Sequence, residues 1–95
     1  MKYIRVTWKH DNPEDPIDLY SEIDENSWEI RKVEVFSDGR MGYSDRSDHS
    51  ESTRLGLAPV PGVEEIAKDP EFAPIEINRS EFERHWEAAR AARVF

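Results

Sequence analysis

The chain has no cysteine among its 95 residues. Neither a disulfide framework nor a thiolate metal site is open to it, so packing and polar contacts have to hold it together. Glycine is scarce as well: Gly39, Gly42, Gly56 and Gly62 are the only four, and none belongs to a phosphate-cradling loop. No apolar run approaches the ~20 residues that cross a bilayer. The opening MKYIRVTW meets charge before an apolar signal core is formed, which leads us to expect a cytoplasmic protein. One further absence is local. Between Asp11 and Ile30 there is no Lys or Arg, while Asp11, Glu14, Asp15, Asp18, Glu22, Asp24, Glu25 and Glu29 all fall there. The chain holds 21 acidic and 13 basic residues, so without those eight the remainder is balanced at 13 against 13. The net charge of −8 therefore resides in that stretch, and it argues against bare nucleic acid or anionic lipid as a partner.

What is present suffices for one folded domain spanning residues 1–95. Three Trp, three Tyr and four Phe supply the large apolar surfaces that disordered acidic chains lack, despite a charged fraction of 36%. A chain of this length buries a modest core, roughly 60–65% of its unfolded surface. Lys2 to Lys9 alternates Ile4, Val6 and Trp8 with Tyr3, Arg5 and Thr7, the period of a half-buried strand. Pro13 and Pro16 turn His10 to Pro16 into a loop, and Ile17, Leu19 and Ile23 mark a short extended piece. Trp28 to Phe36, Asp38-Gly39 and Arg40 to Tyr43 read as a hairpin with a two-residue type I′ turn. Within it the apolar positions change parity between Ile30 and Val33, which predicts a β-bulge near Arg31-Lys32 or, equally well, burial on both faces.

The second half is sparser. Ser44 to Arg54 has almost nothing apolar and reads as a mobile surface loop, with Leu55 to Leu57 returning as an edge strand. Val63, Ile66 and Ala67 space a helix of about two turns that stops before Pro70. After a linker at Pro74, Ser80-Glu81-Phe82-Glu83 reads as a capping box, opening a helix to about Arg93 with Phe82, Trp86 and Ala89 on one stripe. The fold class expected is α+β: an antiparallel sheet of three to five strands with a short helix and a C-terminal helix packed on one face.

Chemistry-bearing groups are present but badly spaced. His10, His49 and His85 fall on a strand end, a loop and a helix, and the acidic runs lack the glycine and terminal glutamate of a calcium loop, so neither a metal nor another cofactor is expected. Ser47, Asp48, His49 and Ser50 are adjacent in a loop, whereas a nucleophile, base and orienting acid have to be held on a rigid frame. Trp8, Trp28 and Trp86 are expected in the core. The alternative is that one of them, with Tyr20 or Tyr43, stays partly exposed beside the acidic stretch and acts as a binding anchor.

Several segments are familiar together: Lys2-Tyr3-Ile4 through His10-Asp11-Asn12-Pro13, Tyr20-Ser21-Glu22-Ile23-Asp24, Arg31-Lys32-Val33-Glu34-Val35-Phe36, Asp38-Gly39-Arg40, Thr53-Arg54-Leu55-Gly56, Asp69-Pro70-Glu71-Phe72, and Ser80-Glu81-Phe82-Glu83 with Trp86. They resemble, from Lys2 to about Trp86, a family of small bacterial proteins known only as domain of unknown function 6881. The resemblance implies no activity and no site residue. Families of this size and acidity include stand-alone partners of toxins, a class-level analogy.

The function expected is a protein-binding module, an immunity-type or regulatory inhibitor that offers Asp11, Glu14, Asp15, Asp18, Glu22, Asp24 and Glu25 to a partner with a basic surface, with Tyr20 as the short-range contact. Solvation alone is the plain alternative for the charge. Two other classes stand beside it: a ligand-binding or enzymatic pocket between sheet and helix with His10 or His85 as the titrating group, and a homodimer formed through a sheet edge.

Overall fold

A computed structural model describes residues 1–92. Along them run β1 (Lys2–Trp8), β2 (Asp18–Ile23), β3 (Glu29–Val35), β4 (Met41–Ser44), α1 (Val63–Ile66), β5 (Phe72–Ile77) and α2 (Arg79–Ala92). The strands form one antiparallel sheet in the order β4-β3-β2-β1-β5. This is the expected α+β class at the upper end of the expected strand number.

A bulge decides which side chain faces which way. Glu22 pairs with Arg31 but Ile23 pairs with Glu29, so Ile30 is an extra residue on β3. It lies one position before the predicted Arg31-Lys32. Without it Glu29 and Arg31 would share a face; with it they point to opposite sides of the sheet.

On the first face stand Tyr3, Tyr20, Arg31, Val33 and Tyr43, covered by α2 through Phe82, Trp86 and Ala89. The rings interlock: Tyr3 meets Phe82 at 5.5 Å, Tyr43 meets Trp86 edge-on at 5.4 Å, and the Arg31 guanidinium lies 4.8 Å over Phe82 and 5.1 Å over Trp86. Arg31 also bridges layers, donating to Glu22 at 2.5 and 3.0 Å and to Glu83 of α2 at 2.7 and 3.1 Å. Tyr3 adds a third donor to Glu22 at 2.8 Å. Burial pushes the Glu22 carboxyl up, but these donors outweigh it and hold its pKa below the ordinary value. Glu83 is held low chiefly by its hydrogen bonds from Arg31.

The second face carries Ile4, Val6 and Leu19 in its β1–β2 half and Lys32, Glu34, Gly42 and Ser44 in its β3–β4 half. Residues 53–60 and α1 lie on this side, while 45–50 run along the outer edge of β4. Thr53 is fully buried over Gly42 and donates to Glu34 at 2.7 Å. Arg54 turns its guanidinium back onto the carbonyls of Ser50, Glu51 and Thr53, while its own carbonyl accepts from Lys32. Ser50 bonds Tyr43 on the outer side of β4, and Ser44 and His49 form a bridge. The predicted mobile loop is therefore strapped down by polar contacts.

Several other expectations are corrected. Leu55 to Leu57 is not a strand; the other sheet edge is β5, read from sequence as a linker because Pro74 sits in its middle. The register set by the Lys9-to-Glu71 hydrogen bond turns the Pro74 backbone outward, where no ladder amide is needed. The β3–β4 connection spans Ser37 to Gly39 and only Gly39 has positive φ, +91°, so it is a three-residue turn rather than type I′. Asn78, not Ser80, caps α2: the helix begins at Arg79, so Ser80 lies inside it, the Asn78 side chain accepts the Glu81 amide at 2.9 Å, and Glu83 bonds Arg31 and Arg79 instead of reaching back. The predicted end at Arg93 lies outside the described residues. Helix α1 is one turn, shorter than predicted.

Candidate functional site

The carboxylates of the acidic stretch do not share a surface. Asp11 and Glu14 are exposed in the β1–β2 loop, where Asp15 accepts from Asn12 at 3.1 Å. Glu25 is exposed at the opposite end of the sheet, in the β2–β3 hairpin, where Asp24 accepts from the amides of Asn26 and Trp28. Between them Asp18 takes hydrogen bonds from Arg5 and Thr7. Glu22 is buried on the first face, and Tyr20 is only 4% exposed, stacked on His85 at 4.1 Å. Neither meets a partner from there. Burial raises the Tyr20 pKa, as expected of a phenol packed beneath a helix.

The histidines and hydroxyls are likewise engaged. His10 accepts the Asn12 amide at Nδ1, which leaves Nε2 to donate to the Pro16 carbonyl at 2.8 Å. His85 bonds the Glu81 carbonyl and His49 the Ser50 carbonyl. Asp48 accepts from the Tyr43 hydroxyl and Ser50 from the Tyr43 amide, so the adjacent Ser, His and Asp make no relay. Among the described residues no three His, Asp or Glu side chains gather as metal ligands, and no helix is long and apolar enough to cross a membrane.

Of several shallow concavities of similar volume, the one with a mainly apolar lining lies on the second face. A cleft of about 240 Å³ opens over Ile4, Val6 and Leu19, walled by Val60, Ile66 and Phe72. At its polar end stand Ser21, Glu29 and Lys32. Glu29 is buried yet satisfied: Ser21 donates to one oxygen at 2.6 Å, and the Gly56 amide at 2.8 Å and Lys32 at 3.2 Å meet the other. With both oxygens taken, this carboxylate is a fastener, not a base. It pins the chain at Gly56, and the Val60 amide is pinned in turn by the Ser27 carbonyl at 2.7 Å. Between those two fixed points Leu57 is 97% exposed, and Trp28, beside Ser27, is 41% exposed. Trp28 is thus outside the core that sequence assigned it; Trp8 is half-buried, its indole N–H donating to Glu71, and Trp86 is buried as expected.

Sequence reading missed this site. It counted Glu29 only as one of the eight acids of the stretch, although the parity change at Ile30 was a signal that Glu29 and Arg31 face apart. Pro59 and Pro61, which restrict the backbone on either side of Val60, were a second signal, of a braced segment where an edge strand at Leu55 to Leu57 was expected.

Comparison with known proteins adds a family and no activity. The sequence model of domain of unknown function 6881 matches residues 2–91. The chain belongs to that family. No curated protein and no solved structure matches it.

Proposed function

We propose that this member of the family is a protein-binding module acting in the cytoplasm, an immunity-type or regulatory inhibitor of a partner with a basic surface. One observation carries the proposal: a buried, fully bonded carboxylate, Glu29, fixes a segment whose Leu57 touches almost nothing of its own chain. An apolar side chain held out on a braced loop gains nothing for the fold, and it suits an interface where ordering cost has been met in advance. The net charge of −8 supports a basic partner by steering its approach. The exposed members of the acidic stretch, Asp11, Glu14 and Glu25, are the ones available for that steering.

The other two classes find less support. The interface of α2 with the sheet is filled by rings, and the cleft on the opposite face is lined by neither Trp nor His. Edge pairing between two copies is opposed at β5 by Pro74 and at β4 by Ser50 and His49.

The test is capture of partners from the native cell extract at low salt, eluted with rising ionic strength, by the unchanged protein and by a Leu57→Ala, Trp28→Ala variant. A basic protein retained by the first and lost by the second is the expected result. Retention that is indifferent to both substitutions, or no retained protein at all, overturns the proposal.

A further inference from the structure

We infer that the cleft over Ile4, Val6 and Leu19 is an anchor pocket for one large apolar side chain, carried on a basic segment of the partner protein. This rests on the binding-module proposal and names where, and by what chemistry, the partner is held.

Size comes first. At about 240 Å³ the cleft falls below the several hundred Å³ usual for sites that enclose a small-molecule ligand. It has room for a single anchoring side chain, the unit around which protein interfaces concentrate their energy. Its chemistry narrows the occupant further. The lining is aliphatic apart from Phe72 and the polar end, and at that end Glu29 is fully bonded while Lys32 is divided between Glu29 and the Arg54 carbonyl. Every polar side chain there already has a partner inside the chain, so nothing buried at that end needs a polar ligand to satisfy it.

The segments that flank the cleft set the charge of its outer rim. None of their acids lines the cleft itself: the β2–β3 hairpin, tied to the Val60 wall through the Ser27 carbonyl, carries Asp24 and Glu25, and α1, whose Ile66 forms a wall, carries Glu64 and Glu65. Lys68 pairs with Glu65, and Arg46 approaches Asp24 at 3.9 Å. Glu25 and Glu64 have no ion pair among the described residues. An apolar anchor with Lys or Arg on either side meets this rim with complementary charge, and one with acidic neighbours is repelled.

The test uses three capped synthetic peptides as probes, Lys-Lys-Phe-Lys-Lys, Lys-Lys-Ala-Lys-Lys and Glu-Glu-Phe-Glu-Glu, titrated into the unmodified protein while the methyl resonances of Ile4, Val6 and Leu19 are followed by NMR. The first peptide alone should shift them, and its affinity should fall about fivefold with Leu57→Ala and again with Glu25→Gln and Glu64→Gln together. Equal shifts from the alanine peptide, or none from the phenylalanine peptide, overturn the anchor pocket. The two proposals fail separately. If a partner captured from cells is lost with Leu57→Ala and Trp28→Ala yet is retained undiminished by Val60→Trp, which fills the cleft from its wall and whose fold circular dichroism checks, the module stands and the pocket falls. If capture ignores Leu57 and Trp28 while the first peptide still shifts the methyls, the pocket stands without the module.

Discussion

The two faces of one sheet are closed by different means. The first is sealed by aromatic packing under α2, with Arg31 reaching Glu22, Glu83 and two rings at once. The second is sealed by hydrogen bonds from a helix-poor segment, Thr53 to Glu34, Gly56 to Glu29 and Val60 to Ser27, and it keeps an apolar cleft with Leu57 beside its fastened edge. Area removed from water supplies most of the stability of a domain this small. The first face is therefore the stabilising half, and the second is free to be shaped for contact. The two buried glutamates of the acidic stretch show the division: Glu22 ties a helix down, while Glu29 ties down a segment that presents apolar side chains outward.

The largest break in that contrast is predicted from the first face. Phe82→Ala removes a fully buried ring that meets Tyr3 and Trp86 and lies under Arg31. It should cost about 3–5 kcal/mol, read as a lowered urea midpoint for the whole molecule. A loss below ~1 kcal/mol would mean that α2 is not the main seal. On the second face the most damaging single methyl is Gly42→Ala, because a Cβ there would sit 2.0 Å from Thr53 Oγ1. Thr53 must move off Glu34, at about 1–3 kcal/mol. Hydrogen exchange should then quicken first in residues 45–60, with α2 amides unaffected; simultaneous quickening in both would show that the faces are one cooperative unit.

How much of this was legible in the sequence follows the same line. The β3–β4 hairpin and the Phe82, Trp86, Ala89 stripe were readable from the apolar periodicity of the first face, and β1 from Ile4 and Val6, the apolar positions it turns to the second. The parity change after Ile30 pointed equally to a bulge at Arg31-Lys32 and to burial on both faces; the structure has the bulge, one residue earlier, at Ile30. The second face is written in single polar contacts at separations of 19 to 33 residues, Thr53 to Glu34, Gly56 to Glu29 and Val60 to Ser27, and no local pattern encodes them. So 44–54 read as loose, Pro74 as a linker, and Glu29 as one more acid of the stretch. Tyr20 was misplaced for a related reason: it lies in the most acidic part of the chain, but strand alternation turns it beneath His85.

Acid should act through the first face. Glu22 and Glu83 both have pKa values below normal when folded, so their stabilising contribution is complete above the unfolded value of about 4.3 and is lost as pH falls through the folded values. Stability should decline as pH drops below about 5. Glu22→Gln should lower stability by about 1–2 kcal/mol at neutral pH and flatten that acid limb. An unchanged limb would place the titrating groups elsewhere.

The smallest effect compares two hairpin turns. In each, the first residue's amide donates to the carbonyl four residues on: Asp24 to Trp28 at 2.9 Å, and Phe36 to Arg40 at 2.9 Å. The fourth residue in each has positive φ, Gly39 at +91° and Ser27 at 69°. Glycine takes that conformation freely, whereas an L-residue with a Cβ is strained by about 1–2 kcal/mol. Against the entropy a glycine loses on folding, Ser27→Gly should still stabilise by about 0.5–1 kcal/mol, or raise the melting temperature by about 2–6 °C. Its effect on binding separates two roles for the turn. The Ser27 carbonyl that holds Val60 is backbone and survives the change, so a stabilised protein with unaltered partner affinity would show that the serine is merely tolerated. A stabilised protein that binds less well would show that the strained turn holds Trp28 and the cleft wall in their binding geometry.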